Sequence, residues 1–125
     1  MAEPNPPIVL LVEDEALLRM VIGDELRDAG FEVIEATHGG EALEFLANGR
    51  SIDLLFTDIR MPGEASGWDV AEHARKLRPD IPVIYATGYS EDPLRIVPGG
   101  RFFKKPYAMQ AIIEAARELG VAPSV

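Results

Sequence analysis

The chain has no cysteine among its 125 residues. That excludes disulfides, thiolate metal sites and cysteine nucleophiles, and it fits a reducing compartment. Histidine is nearly missing: His38 and His73 are the only two. Their spacing does not make a ligand pair, neither neighbours the acidic cluster in sequence, and both are read as surface or partly buried residues. No apolar run approaches the roughly 20 residues that a membrane-spanning helix needs. Met1 to Pro7 lacks a basic stretch followed by an apolar one, so no signal peptide is visible. Positive charge is scarce as well, with 12 Lys and Arg against 21 Asp and Glu and a net charge of −9. Such a surface repels nucleic acid and anionic membranes, so neither direct nucleic-acid binding nor membrane insertion is expected. A soluble, cytoplasmic protein is the expectation.

What is present is ordinary for a globular domain: 47% apolar and 26% charged residues. The length matches one domain over 1–125, with a core from about residue 8 to 119. Strand-like and helix-like patterns alternate. Ile8 to Val12 is a short continuous apolar run, as a strand covered on both faces requires, and it stops at Glu13-Asp14-Glu15. Leu18, Val21, Ile22, Leu26 and Ala29 then repeat at helical spacing, with Gly30 placed as a C-terminal cap. Further strands are predicted over Phe31 to Ala36, Asp53 to Thr57, Pro82 to Ala86 and Arg101 to Lys104. Further helices are predicted over Glu41 to Asn48, over Trp68 to Leu77 and around Met109 to Ala116. Trp68 is read as a packing residue near the start of its helix. Five strands with intervening helices imply an α/β fold, a doubly wound five-stranded parallel sheet. Ser90 to Gly100 holds Pro93, Pro98, Gly99 and Gly100, so a fourth helix there is expected to be short or irregular.

Function in such sheets gathers at the carboxyl ends of the strands. Glu13 and Asp14 stand past the first strand and Asp58 past the third. The first pair alone is equally well explained by helix capping. A third carboxylate at another buried strand end points instead to a shared cation. Hard oxygen ligands suit Mg²⁺, which usually takes one or two carboxylates plus phosphate oxygens. Thr87 follows the fourth strand and Lys105 the fifth. Singly, a turn-capping threonine and a solvated lysine would explain them. As a set, a hydroxyl donor, an ammonium and a cation site supply what an acyl phosphate on Asp58 needs.

The set Glu13-Asp14, Asp58 followed by Met61-Pro62, Thr87, and Lys105-Pro106 resembles the receiver domain of response regulators, the CheY-like branch of flavodoxin-like folds. The resemblance runs from Ile8 to about Leu119. It implies that a sensor histidine kinase phosphorylates Asp58 to 4-aspartylphosphate. It also implies that Asp14 and Asp58 ligate Mg²⁺ with the backbone carbonyl of Arg60, and that Glu13 acts nearby through water. Thr87 and Phe102 correspond to a switch pair, Lys105 to the phosphate-contacting lysine, and the Lys105-Pro106 bond is expected to be cis. Pro82 to Tyr89 resembles the motif of the FAT GUY receivers, often stand-alone proteins in stress signalling, with Tyr85 in place of the usual first Phe. Output through a partner protein, or a role as phosphoryl relay or sink through a phosphotransfer protein, follows from that likeness. So does a phosphoacceptor that assists its own phosphoryl transfer and dephosphorylation, as distinct from an enzyme.

Three departures stand out. Gly67 comes nine residues after Asp58, where the family usually has eight, and this lengthens the loop Gly63-Glu64-Ala65-Ser66. Gly88 follows Thr87 where alanine is common. The stretch from Thr87 to Lys105 is short, which argues against a dimer built on a regular fourth helix. Ser90 to Gly100 is expected to be the least protected part of the chain and the part most altered by phosphorylation.

Other readings fit less well. A haloacid-dehalogenase-like phosphatase usually has a second aspartate two positions after the first, where this chain has Arg60. A flavodoxin-like FMN carrier needs phosphate-binding donors where Glu13-Asp14-Glu15 would repel phosphate. A purely structural pseudo-receiver would not need the full acidic, hydroxyl and lysine set.

Overall fold

Five strands pair as one parallel sheet in the computed structural model, which describes residues 5–88 and 95–123. The strands are β1 (Ile8–Val12), β2 (Glu32–Ala36), β3 (Leu54–Asp58), β4 (Val83–Thr87) and β5 (Arg101–Lys104), in the spatial order β2-β1-β3-β4-β5. Among the described residues the α-helices are α1 (Ala16–Asp28), α2 (Gly39–Ala47), α3 (Gly67–Leu77) and α4 (Met109–Glu118). The three central strands are almost wholly buried, whereas β2 and β5 at the edges carry exposed positions. This follows from their sequences, because only strands covered on both faces can be apolar without interruption.

Side chains alternate between the two faces with the period of two that a strand imposes. Leu10, Val12, Leu55, Val83 and Tyr85 form one core with α2 and α3. Val9, Leu11, Leu54, Phe56, Ile84 and Ala86 form the other with α1 and α4. Trp68 is a core residue at the start of α3, its ring centroid 4.9 Å from that of Tyr85 and 6.3 Å from that of Phe102.

The register fixes which strand ends are neighbours. Val12 pairs with Thr57, Asp58 with Ala86, and Thr87 with Lys104. The next residues, Glu13, Asp58, Thr87 and Lys105, are thereby gathered at the carboxyl edge of the sheet.

Helix starts differ from the sequence expectation where a side chain caps the backbone. The second helix begins at Gly39, two residues before the predicted Glu41, because His38 Nδ1 accepts the Glu41 N–H at 3.2 Å. The Glu41 carboxylate in turn accepts from the Thr37 N–H at 2.7 Å. Imidazole is an uncommon cap, so the sequence carried little signal for it. The third helix begins at Gly67 behind a capping box of Ser66 and Asp69. Gly67 is obligatory there: a Cβ would lie 2.1 Å from the Asp58 carbonyl oxygen. At the end of α1, Gly30 takes φ +104°, in line with its predicted capping role.

Ser90 to Leu94, the first half of the segment predicted to be irregular, lies outside the described residues. Residues 96–100 form neither α-helix nor strand, but they are anchored. The Val97 N–H donates to the buried Tyr85 hydroxyl at 3.2 Å, and Arg95 bonds Asp69 at 3.0 Å and Glu72 at 2.8 Å on α3. The Lys105-Pro106 peptide is cis, as the resemblance implies.

Two outcomes are expected from this packing. Ser66→Ala removes the cap of α3 and is expected to cost about 1 kcal/mol in chemical denaturation, whereas Gly67→Ala should cost more, because the added methyl must displace the backbone of Asp58. Asp69 is held below the usual carboxylate range by the Ser66 N–H first and by Arg95 next. A depressed folded-state pKa contributes stability above the ordinary carboxylate pKa and loses it as pH falls through the lowered value. Asp69→Asn should therefore flatten the acid limb of a stability–pH profile and leave its slope near neutrality unchanged.

Candidate functional site

Asp58 ends β3 as a partly buried carboxylate, its side chain 10% exposed. Its Oδ1 accepts the Ile59 N–H at 2.7 Å, which turns Oδ2 toward Lys105. Lys105 Nζ donates to Asp58 Oδ2 at 3.0 Å and to Glu13 Oε1 at 2.9 Å. The other Glu13 oxygen, Oε2, accepts the Glu15 N–H at 3.1 Å. Both oxygens of Glu13 are therefore engaged within the protein. Asp14, half-buried beside it, is the more open of the pair.

Oxygen atoms of Glu13, Asp14 and Asp58 lie within 4.8 Å of one another. Two unit charges about 5 Å apart repel by roughly 3 kcal/mol at an effective dielectric near 20. A single ammonium, that of Lys105, bonds two of the three, Glu13 and Asp58. Burial raises the pKa of Glu13 and Asp58 adds to it, while the Lys105 hydrogen bond pulls it back. Burial alone would depress Lys105, but its bonds to Glu13 and Asp58 outweigh that and raise its pKa, so the ammonium stays charged.

The capping explanation for Glu13-Asp14 fails on geometry. The N-cap of α1 is Glu15, and its side chain makes no capping bond. Thr87 is fully buried at the end of β4, and its carbonyl accepts the Lys105 N–H at 2.8 Å. Phe102 lies on β5, stacked on Trp68 with only 10° between the rings, on the face away from α1 and α4. Arg60 is exposed, two residues beyond Asp58. His38 and His73 are exposed and take no part in the cluster.

The structure adds residues that no motif flagged. Tyr107, two residues past Lys105, packs edge-on against Phe56, and burial pushes its hydroxyl pKa up to about 12. With Leu18, Val21, Ile22, Pro106 and Met109 it lines a cavity of about 410 Å³ that borders Lys105. Arg19 reaches back from α1 to the Glu13 carbonyl at 2.9 Å. Its position in an amphipathic helix gave no hint of this contact.

The donor set fits a small hard cation. It consists of carboxylate oxygens with negative charge in excess, at the crevice where a doubly wound sheet opens. Chemically the arrangement presents a partly buried carboxylate flanked by an ammonium and a further pair of acidic groups.

Comparison with known proteins agrees with this geometry. The model of the response regulator receiver domain matches residues 9–117. Over 116 residues the chain is 36% identical to sensor kinase CckA of Brucella abortus, covering 89% of this chain and 12% of that protein. It is 32% identical over 116 residues to chemotaxis protein CheY of Thermotoga maritima, covering 89% and 95%. The chain spans between 12% and 58% of the length of the first curated relatives that it matches. A receiver protein from Sinorhizobium medicae superposes with a TM-score of 0.88 at 35% identity, covering 91% of this chain and 94% of that one. Strand order, the carboxylate cluster with its bridging lysine, and these likenesses lead to one assignment: the chain belongs to the response regulator receiver domain family of two-component signalling.

Proposed function

We propose that Asp58 is the phosphoacceptor of this receiver and that a sensor histidine kinase is its donor. The observation that carries the reading is the position of the Asp58 carboxylate, between the Lys105 ammonium and the Glu13-Asp14 pair at neighbouring strand ends. An Asp58 oxygen attacks the phosphorus of a phosphohistidine in line. The new O–P bond forms as the P–N bond breaks, and the imidazole nitrogen keeps the bonding pair. Lys105 offsets charge on the transferred group, and most of the catalysis is positioning and electrostatics.

Asp14, Asp58 and the Arg60 carbonyl are the proposed protein ligands for Mg²⁺. Glu13 serves through water, consistent with the engagement of both its oxygens. Bound Mg²⁺ supplies neutralisation of the anionic oxygens around the reacting phosphorus. Thr87 donates its hydroxyl to the phosphoryl group, and the resulting movement is shared with Phe102, so phosphorylation shifts a two-state equilibrium. The anchored stretch 95–100 is the surface that responds, and a kinase, output partner or phosphotransfer protein reads it. The domain acts as a phosphoacceptor that assists its own transfer and dephosphorylation, in a cytoplasmic setting. Among the described residues no helix is long and apolar enough to cross a membrane.

Intact mass after exposure to acetyl phosphate and Mg²⁺ tests the assignment. Wild type should gain one phosphoryl group, and Asp58→Asn should gain none; full labelling of that variant elsewhere would refute it. Asp14→Ala should lower Mg²⁺ affinity on the order of tenfold or more in calorimetry. The metal-free variant should keep or gain stability, because one like charge has gone. Hydrogen exchange across residues 95–100 should change when beryllofluoride and Mg²⁺ are added. A response confined to α3 would place the signalling surface elsewhere.

A further inference from the structure

The loop that carries Glu13 and Asp14 has no cap of its own. Glu15, at the N-cap of α1, makes no side-chain bond to the helix, and the first turn contains no acidic residue. Few bonds hold this loop: the Glu13 N–H donates to the Ala36 carbonyl at 3.1 Å, the Glu15 N–H to Glu13 Oε2 at 3.1 Å, and the Arg19 N–H to the Glu15 carbonyl at 2.8 Å. Between them, Arg19 Nη1 donates to the Glu13 carbonyl at 2.9 Å. The guanidinium is fixed at its other side, with Nε 3.3 Å from Glu35 Oε1 on β2. Glu35 is itself held by Arg27 Nη2 at 2.7 Å. The Arg19 side chain is only 17% exposed, so it loses little to solvent competition.

We infer that Arg19 is a positioning residue for the cation site: through the Glu13 carbonyl, braced by Glu35, it fixes the backbone from which Glu13 and Asp14 project. The inference rests on the functional reading above. Arg19 serves the carbonyl from Nη1 and the carboxylate from Nε, two nitrogens in one rigid plane, and the single nitrogen of a lysine does not reproduce that spacing. The competing explanation is a purely electrostatic one, in which Arg19 merely adds positive charge near the acidic cluster.

The two explanations differ in sign. If Arg19 acted only by charge, Arg19→Ala would raise Mg²⁺ affinity and Arg19→Lys would leave it unchanged. Positioning requires that Arg19→Ala lower the affinity about tenfold, as loss of a ligand-orienting partner does, with Arg19→Lys falling between it and wild type. Calorimetric titration of the three proteins with Mg²⁺ reads this out. Hydrogen exchange on the metal-free proteins supplies a second measure, with faster exchange expected at the Glu13 and Glu15 amides in both variants. Where Arg19→Ala fails to fold, the Lys variant decides alone. Unchanged or raised Mg²⁺ affinity in the variants would overturn the inference and leave the phosphoacceptor assignment standing. Absence of Mg²⁺ binding by wild type would instead overturn the functional reading, and this inference with it.

Discussion

Three carboxylates from two adjacent strand ends share a space within which each repels the others, and one buried-stemmed lysine answers them. Lys105 bridges Glu13 and Asp58 at 2.9 and 3.0 Å, and nothing else among the described side chains brings a positive charge to those two oxygens. The arrangement is costly by itself, because burial disfavours charge and the charges are mostly alike. It persists because the sheet register leaves no alternative. With Val12 beside Thr57 and Thr87 beside Lys104, the chain can leave the sheet only with these side chains together. The apolar burial of β1, β3 and β4 offsets the local electrostatic cost, and the site remains short of positive charge. That shortage is the physical reason the cluster fits a small hard cation.

How much of this was legible in the sequence depends on the kind of force involved. Continuous apolar runs marked the three central strands to within a residue, since burial on both faces demands them, and the shorter apolar stretches within β2 and β5 marked the edges. The site followed because chemistry-bearing residues stood at the ends of those runs. Asp58 was separable from a surface aspartate through the run Leu54 to Thr57 before it, and Lys105 through Phe102 and Phe103, and each gained weight only as part of the set with Glu13, Asp14 and Thr87. Contacts that depend on a side chain meeting a distant backbone group were not legible. His38 as a cap and Arg19 on the Glu13 carbonyl have no periodicity to betray them. Tyr85 read as one more strand residue, yet its hydroxyl ties down Val97, twelve residues away in sequence.

The segment before β5 shows the same limit from the other side. Its prolines and glycines correctly forecast the lack of a regular helix in 96–100. Composition could not reveal that Arg95 would be clamped by two carboxylates of α3, or that Val97 would be buried. A stretch with no secondary structure can still be held in place if its few donors and cations find fixed partners. Here those partners belong to α3 and β4, the elements that also carry Trp68 and Thr87.

That sharing gives a physical route from the site to the surface. Thr87 is bonded through its backbone to Lys105, and β4 carries Tyr85 two residues before it. Tyr85 touches Trp68, holds Val97, and lies opposite Phe102 in the β4–β5 register, while Trp68 stacks on Phe102. If Asp58 is phosphorylated as proposed and Thr87 moves toward the group, the three aromatic rings packed on and beside β4 are the elements placed to accommodate the change, because a close-packed core does not deform by small degrees. Contact alone does not establish coupling. At the far end of this set lies the hydrogen bond from the Val97 N–H to the Tyr85 hydroxyl, which together with the burial of Val97 and the Arg95 clamp on Asp69 and Glu72 holds the stretch 95–100. A rearrangement of the rings that shifts the Tyr85 hydroxyl would break that one anchor and leave the Arg95 clamp to α3 in place, whereas a shift of the same size inside a helix or strand would be resisted by its neighbours' backbone bonds.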